Sequence, residues 1–479
     1  MRHFKNPLAE YVYPHPCNPK RPLFYCIDPV HIIKSVRNNW VNQKNIEQAM
    51  YFPSFDDNST EILTASLLSV KKMYELEYGN LIKKGYTLSQ KALWPSSLEK
   101  QNVRLALQLI NNTTSKSLLS IGNKYDILNY RSTSMYIDIF HSWFSVMNVK
   151  TPNKGLRLKD KLCFPLTCNE NDDNFIFLHA FLNWLEKWGS LNSDRGKLSR
   201  ETHSALCITT NCIIELVKYC TLELEMQYLL PGKIQTDELE YRFSLYRRMG
   251  GTNYHISLRQ IFEIEKKLRI CNILKLVIKS KSKGNILVNE FVNADEINEI
   301  ATLNEPFLSL SVTDDEIDSI QDDLAILTFI AGYCVHSVVH LKLKCELCRE
   351  NLTIDKELAT GPQFDLISDF DRGGLKYPTV DIVNILVHNF IIIKKLISDF
   401  ENEFLKQTNQ RQIASQITIN VLSTKEMYIA TCEDHSERKV MTFIISASTN
   451  TLLKNYCKSK CDAVSKKADK RKLATFTSS

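Results

Sequence analysis

At 479 residues the chain is long enough for two or three domains, each with its own hydrophobic core. Its 44% hydrophobic and 24% charged residues are those of a globular protein and exclude an extended disordered chain. The net charge of +6 conceals an asymmetry: residues 287 to 323 are acidic and the last 30 residues are strongly basic, a distribution typical of proteins that contact nucleic acid.

The N-terminus lacks the apolar segment of a secretory signal. We expect no membrane-spanning segment, because the longest apolar stretches, such as Ile382 to Leu396, are broken by Asn, His and Lys. The 14 cysteines are scattered over a long chain, which in a reducing compartment predicts free thiols buried as small hydrophobic groups. Only closely spaced pairs are candidates for metal binding.

The first predicted elements form a strand followed by a helix. Residues Leu23 to Ile27 have a buried-strand pattern, and a helix to Trp40 follows with Asp28 at its N-cap and Pro29 at its first position. A strand that leads into a helix predicts a piece of an α/β sheet. From Asn45 to about Leu230 the pattern is nearly all helical, with predicted helices at Glu61–Lys84, Ser97–Ile121, Tyr136–Val149, Phe175–Trp188 and Thr202–Met226.

The second half of the chain is also predicted to be helical. An amphipathic helix over residues 256–280 precedes an acidic stretch that we expect to be a partly ordered linker up to Asp323. Further helices are predicted at Leu324–Leu343, Thr379–Asn409 and Ala414–Leu422, and the last ten residues are expected to fray.

Asp237 and Glu240 lie three residues apart, so a helix presents both carboxylates on one face, as a metal site requires. The same spacing also fits an ordinary helix start, with Thr236 as the N-cap and acids in the first turn facing the helix dipole. The residue spacing alone favours the helix start.

Two short motifs predict a structural zinc site. Cys345 and Cys348 form a C-x-x-C pair, and Cys432 and His435 form a second pair with the same spacing. Together they supply the four ligands of a tetrahedral Cys3His site, with His336 and His340 as reserve ligands. The alternative is that the cysteines are buried thiols and His435 is a surface residue.

Two other motifs concern nucleotides and nuclear import. Asn123 to Asp126 has the N-K-x-D form of GTPases, but without a phosphate-binding loop in the chain a P-loop GTPase is excluded. The segment Lys466 to Lys472 resembles a nuclear-import signal and could also contact phosphates. A solvated tail with neither role is the alternative.

Three landmarks in sequence order resemble those of the P-element-type transposases, which include the transposase-like THAP proteins. They are Ile27-Asp-Pro-Val-His-Ile-Ile-Lys-Ser-Val-Arg-Asn-Asn-Trp40, the stretch from Thr236 to Tyr254, and Ile330-Ala-Gly-Tyr-Cys334 with the Cys345 and Cys348 pair. The resemblance covers nearly the whole chain. It implies an RNase H-like domain interrupted by a helical GTP-binding insertion, with three carboxylates that hold two Mg²⁺ ions for DNA cleavage and strand transfer.

The resemblance also assigns residues. It implies that Glu240 is the third catalytic acid, and that Asp237 belongs to a nucleotide site. In the family a Phe-Asp-x-x-Asn element contacts guanine; here Phe144 and Asn148 remain, but Ser145 stands in place of the Asp. We therefore expect weak GTP discrimination, because the donors of the base lose their acceptor.

Two departures concern catalysis. The first two catalytic aspartates of the family lie upstream of the Asp-Pro-x-His landmark, but only 27 residues precede it here and none is Asp. The THAP zinc finger is absent from the sequence too. Because one carboxylate of three cannot offset the repulsion between two Mg²⁺ ions, we expect no cleavage by this chain alone.

The sequence therefore predicts a mainly α chain with a small α/β remnant. The predicted domains are an end of the first RNase H-like part (1–44), a helical insertion (45–232), a second RNase H-like part (233–285), an acidic linker (286–323), a helical C-terminal domain (324–450) and a basic tail (451–479). We predict a truncated, inactive DNA transposase located in the nucleus, with DNA and itself or a full-length transposase as partners. The alternative is a nuclear DNA- or protein-binding repressor or adaptor.

Overall fold

The computed structural model describes residues 11–56, 58–191, 195–250, 256–281, 307, 309–407, 409–425, 427 and 429–476, and these are mainly helical. Two helices continue into π-helical turns, at Tyr219–Glu223 and Val338–Leu343. The helices are α1 Pro29–Val41, α2 Leu67–Leu76, α3 Gln90–Leu93, α4 Val103–Leu109, α5 Asn112–Lys124, α6 Tyr130–Met147, α7 Lys154–Leu158, α8 Asp173–Ser190, α9 Arg200–Lys218, α10 Asp237–Met249, α11 Leu258–Lys281, α12 Asp314–Asp318, α13 Leu324–Ser337, α14 Glu346–Leu352, α15 Asp365–Phe370, α16 Val380–Ser398, α17 Glu401–Leu405, α18 Gln410–Thr424 and α19 Glu437–Phe476.

The strands form three antiparallel pairs: β1 Val12–His15 with β2 Asn18–Phe24, β3 Ala49–Pro53 with β4 Ile62–Ser66, and β5 Thr353–Ile354 with β6 Tyr377–Pro378. Of the predicted strand from Leu23 to Ile27, only Leu23 and Phe24 lie in a strand, at the end of β2, whose only partner within the described residues is β1. Pro19 and Pro22 lack the N–H groups that a second neighbouring strand would need. The expected α/β sheet is therefore a two-stranded hairpin in this part of the chain.

The predicted helix from Glu61 to Lys84 is also wrong at its start. Residues 62–66 pair along their whole length with β3, and the helix begins only after Ser66, whose side chain accepts a hydrogen bond from the Ser69 N–H at 3.3 Å. The hydrophobic pattern did not reveal this hairpin. A short run of apolar residues fits a strand as well as a helix.

The first hydrophobic core lies between α1, β3, β4 and the helices from α2 to α9. The side chains of Trp40, Trp143 and Trp184 are almost fully buried there. Indole N–H groups bind strand carbonyls: Trp40 donates to Ala65 at 3.2 Å, and Trp184 donates to Pro53 at 2.8 Å. Helix α1 therefore packs in one core with the helices that the sequence assigned to an insertion.

The second core lies between α13, α16, α18 and α19. A buried polar group joins three of these helices. Asn389 on α16 donates to Ser448 on α19 at 2.6 Å and accepts from Thr418 on α18 at 2.9 Å. Since each partner is buried, a shift of one helix by one turn would leave these polar atoms without hydrogen bonds.

Helices α10 and α11 form a hairpin closed by a two-point ion pair. The Arg242 guanidinium donates to both carboxylate oxygens of Glu265, at 2.9 and 2.5 Å. Much of the predicted acidic linker lies outside the described residues. Its last part is ordered: α12 begins with a capping box between Thr313 and Glu316, and Glu316 pairs with Lys395 at 2.7 Å.

Two helical segments, Arg200–Glu223 and Gln321–Leu343, are long and apolar enough to cross a bilayer, contrary to the expectation from the sequence. Their apolar residues have another role in the fold. Leu206 and Val217 are fully buried in the first core, and Leu327 and Val335 are fully buried in the second. Core helices of globular proteins pass the same length test.

Candidate functional site

Asp28 joins the starts of two helices that are far apart in sequence. Its Oδ1 accepts the Val30 N–H at 2.8 Å and so caps α1, as the sequence predicted. Its Oδ2 accepts the Thr236 N–H at 3.3 Å and the Thr236 hydroxyl, across 208 residues. The side chain is 6% exposed. The predicted N-cap of α10, Thr236, therefore makes no side-chain cap to its own helix and binds Asp28 instead.

The same carboxylate belongs to a cluster of three potential metal ligands. One ligand atom from each of Asp28, His31 and Glu240 lies within 4.8 Å of the others. His31 Nδ1 is 3.4 Å from Asp28 Oδ2, and His31 Nε2 is 3.5 Å from Glu240 Oε1. His31 follows Asp28 by one helical turn and Glu240 follows Thr236 by one turn, so the two helix starts aim these side chains at each other. Glu240, predicted as a catalytic acid, thus has Asp28 nearby, which sequence reasoning had used only as a cap.

The cluster is open to solvent on one side, since the side chains of His31 and Glu240 are 47% and 61% exposed. Two carboxylate groups and one imidazole fit a single divalent cation with mixed oxygen and nitrogen ligands, such as Mn²⁺. Within the described residues this group contains no third carboxylate. The arrangement can therefore neutralise one divalent cation and keep a face open for a phosphate oxygen or water.

Asp237 has a different partner. Its carboxylate forms an ion pair with Lys150, just beyond the C-terminal end of α6. The neighbouring Gln235 amide donates to the Met147 carbonyl at 3.1 Å, and Gly232 N–H donates to the Val149 carbonyl at 3.0 Å. The start of α10 is thus anchored on the end of α6, and Asp237 serves that contact while Glu240 faces His31.

The residues predicted to bind guanine lie at that same end of α6. Phe144 is 6% exposed and packs in the first core. Asn148 is half-buried, and its backbone carbonyl accepts a hydrogen bond from the Lys154 ammonium at 2.8 Å. Ser145 is buried as well. A ring held in the core cannot stack on a base unless the helix moves, so α6 in this conformation presents no open guanine-binding face through Phe144.

The four predicted zinc ligands meet in space. One ligand atom from each of Cys345, Cys348, Cys432 and His435 lies within 4.8 Å of the others. The Sγ atom of Cys432 is 3.8 Å from that of Cys345 and 3.4 Å from that of Cys348. His435 Nδ1 is 3.1 Å from Cys432 Sγ and 3.6 Å from Cys348 Sγ. The reserve ligands His336 and His340 instead lie against each other, with ring centroids 4.6 Å apart.

The thiols of this group have different proton affinities. A hydrogen bond with His435 lowers the pKa of Cys432 to about 7, whereas burial raises the pKa of Cys348 to about 11. The Cys432 thiol is thus readily ionised, whereas the Cys348 thiol stays protonated as long as no cation is near.

A basic cleft of about 690 Å³ opens at the opposite end of α1 from Asp28. We define it by four exposed cationic residues, Lys44, Arg195, Lys197 and Arg200, between which lie amide side chains and Gly196. The amides include Asn39, Asn42, Gln43 and Asn45. Cations interleaved with amide donors are suited to a row of phosphate groups. Sequence reasoning missed this cleft, because its residues come from two segments about 150 positions apart.

Comparison with known proteins supports a relationship along most of the chain. Residues 309–459 match the family described as "DNA transposase THAP9, C-terminal domain". The "Transposable element P transposase" of Drosophila melanogaster is 24% identical over 440 residues, which are 85% of this chain and 49% of that protein. Over these ranges the chain is similar to P-element-type transposases.

The chain spans about half the length of the curated relative that it matches. Among solved structures, the "Drosophila P element transposase strand transfer complex" is similar with a TM-score of 0.45 and 22% identity, over 53% of each chain. All four members of the cysteine-histidine group lie within the segment that matches the family, 309–459, whereas the Asp28 cluster lies outside it.

Proposed function

We propose that this P-element-type transposase homologue binds DNA and one divalent cation, and that the chain by itself does not cleave or transfer strands. The observation that carries the proposal is the meeting of Asp28 and Glu240 beside His31, across more than two hundred residues. A truncated, inactive transposase was the prediction from the sequence. The geometry adds a second carboxylate to the one that the sequence had found.

The local structure prepares Asp28 and Glu240 for a cation. Thr236 and the Val30 N–H fix the Asp28 carboxylate in one orientation, so that little conformational entropy is lost when it binds a metal. Glu240 is exposed and can rotate towards the same point. A bound Mg²⁺ or Mn²⁺ would stabilise negative charge on a phosphoryl oxygen. His31 can serve as a third ligand, a combination that suits Mn²⁺ better than Mg²⁺.

Two carboxylates support one divalent cation better than two. A pair of divalent ions about 4 Å apart repels strongly, and two-metal sites offset that repulsion with additional anionic ligands. In the described part of the chain the cluster offers Asp28 and Glu240 only. We therefore keep the prediction that strand cleavage needs a carboxylate from outside this cluster.

The basic cleft supports DNA as the partner. Helix α1 has 13 residues and spans about 20 Å, with Asp28 at one end and the cleft at the other. That distance corresponds to about six base pairs along a duplex. A DNA backbone that follows α1 would therefore reach both the cation and the four cationic residues of the cleft.

Guanine-nucleotide selection is not part of the proposal. Ser145 provides no carboxylate for the base, and Phe144 is buried. Nuclear location remains a proposal that rests on the basic sequence from Lys466 to Lys472, whose side chains lie outside the described residues. Association with itself or with a full-length transposase remains a proposal.

Metal binding is tested by titrating the purified chain with Mn²⁺ and measuring free Mn²⁺ by electron paramagnetic resonance. We expect about one site per chain, and a 10- to 100-fold weaker affinity in Glu240→Gln, an effect of about the size seen when metal sites lose a supporting group. The control, Glu263→Gln, neutralises an exposed acid of α11 that pairs with Arg259, and it should bind Mn²⁺ normally. Equal affinity of Glu240→Gln and the unaltered chain would exclude the site.

Inactivity is tested separately in a strand-transfer assay with Mg²⁺ or Mn²⁺. Robust cleavage that Glu240→Ala abolishes would refute the proposal that the chain by itself does not cleave or transfer strands. The second candidate function, a nuclear repressor or adaptor, is favoured by the basic cleft and requires DNA binding without chemistry. If the chain has no affinity for DNA even at low salt, both DNA-based functions fail and a protein-binding adaptor is left.

A further inference from the structure

We propose that Cys345, Cys348, Cys432 and His435 bind one structural zinc ion that ties the short helix α14 to the start of the long C-terminal helix α19. This site is independent of the cation cluster at Asp28 and of any catalytic role. The motif spacing identified the four residues, and the fold brings the two halves together although 84 to 87 residues separate their contacting atoms.

The interatomic distances fit a tetrahedral zinc site. With Zn–S bonds of about 2.3 Å and a Zn–N bond of about 2.0 Å, tetrahedral geometry requires S to S separations of about 3.8 Å and S to N separations of about 3.5 Å. The measured S to S distances are 3.8 and 3.4 Å, and the S to N distances are 3.6 and 3.1 Å. A disulfide needs about 2.05 Å between sulfurs, so the group is too open for one and compact enough for a cation at its centre.

The backbone around each pair supports ligation. Cys345 is the N-cap of α14, and the Cys348 N–H points at its sulfur at 3.5 Å. Such an N–H group stabilises the negative charge of a thiolate ligand. On the other side, the His435 N–H donates to the Cys432 carbonyl at 3.3 Å and closes a tight turn that holds both ligands on one side. Each half thus presents two ligand atoms to the same point.

The ligand set points to a structural ion. Three thiolates and one imidazole fill all four positions of a tetrahedral zinc, so no position remains for water or substrate. Cys348 is fully buried, and Cys345 and Cys432 pack against the second core. The ion would therefore hold the start of α19 on that core. Val440 and Ile444, the first fully buried residues of the helix, follow within three turns.

The competing explanation is a group of reduced thiols gathered by apolar packing alone. The two explanations make different predictions for His435. Packing alone predicts that any side chain of similar size can replace it. Zinc ligation predicts that cysteine can replace His435 and that other residues cannot.

The test is metal analysis of the purified full-length chain, prepared with a reductant and without added metal. We expect about one zinc per chain, and loss of most of it in Cys432→Ser and His435→Ala. His435→Cys should retain zinc. The matched control is Cys457→Ser, which removes an exposed thiol on the same helix α19 and should leave the zinc content unchanged.

Cobalt substitution keeps the proposal testable if a serine variant does not fold. The unaltered chain loaded with Co²⁺ should show the visible absorption of a tetrahedral thiolate site, and His435→Cys should shift this spectrum while keeping its tetrahedral intensity. A chain that contains well below one zinc, fails to take up Co²⁺ and has fully titratable thiols would overturn the proposal. So would a disulfide between any two of these cysteines in the reduced preparation.

Discussion

Asp28→Ala is expected to lower the free energy of unfolding of the first core by about 2.5–4 kcal/mol. The loss has two parts. The Oδ1 cap on the Val30 N–H contributes about 1 kcal/mol, the usual value for an N-cap. The two hydrogen bonds from Thr236 to Oδ2 contribute about 1.5–3 kcal/mol together, as hydrogen bonds to a charged acceptor do. Because the side chain is 6% exposed, water cannot easily take the place of these contacts.

The assay is urea denaturation followed by tryptophan fluorescence. All five tryptophans lie between positions 40 and 188, so the signal reports on the first core and not on the second. Ser199→Ala provides the comparison, since Ser199 caps α9 through the Thr202 N–H at 3.3 Å and should cost about 1 kcal/mol. An equal cost for Asp28→Ala and Ser199→Ala would refute the claim that Asp28 joins α1 to α10.

Asp28→Asn separates structure from metal binding. The amide keeps an oxygen for the cap and the Thr236 hydroxyl can rotate to accept from its NH2, but the Thr236 N–H loses its acceptor, so the cost in stability should be about 1–2 kcal/mol. The lost negative charge should weaken Mn²⁺ binding by about 10- to 100-fold. A variant that is destabilised but binds Mn²⁺ normally would show that Asp28 has a structural role only.

The remaining predictions concern the basic cleft, a buried histidine and the zinc site. Changing both Lys44 and Lys197 to Glu should weaken DNA binding at least about tenfold and reduce the salt dependence of the affinity by the equivalent of about two phosphate contacts. The measurement is filter binding at several salt concentrations. The control is Lys161→Glu, which changes an exposed residue elsewhere and should have little effect. Burial lowers the pKa of His141 below its usual value near 6.5, so the folded state binds fewer protons than the unfolded chain. The stability that the neutral His141 contributes should be fully present above about pH 6.5 and be lost as the pH is lowered. His141→Gln should reduce this loss, measured by tryptophan fluorescence during urea unfolding at several pH values. Removal of zinc by a chelator should lower the melting temperature of the second core, measured by helical circular dichroism, and leave the unfolding measured by tryptophan fluorescence unchanged. If the chelator lowers the melting temperature of the Cys432→Ser protein equally, it acts elsewhere.

The features predicted correctly from sequence are those with local signals. Asp28 followed by Pro29 indicated a helix start, and α1 begins there. The helix predicted over residues 256–280 is α11, at Leu258–Lys281. The pairs Cys345–Cys348 and Cys432–His435 identified four side chains whose ligand atoms do lie within 4.8 Å of one another.

The features that were missed depend on contacts between distant segments. Strand β4 was assigned to the helix predicted from Glu61 and β3 to no named element, since short apolar runs carry no unique period. Asp28 was fully explained as a cap, so its second oxygen was not considered, and its partner Thr236 lies 208 positions away. For Phe144 the sequence left open a core residue and a base-stacking residue, and the structure places it in the core.

The position of the cation cluster follows from the two helix starts that Asp28 joins. An N-terminus of a helix carries a partial positive charge, and here α1 and α10 both begin at the cluster. In the absence of a cation these two termini stabilise the carboxylates of Asp28 and Glu240. Asp28 caps α1 through Oδ1, whereas its Oδ2 both accepts the hydrogen bonds from Thr236 and faces His31, so the carboxylate is fixed at the point where the two helix starts meet.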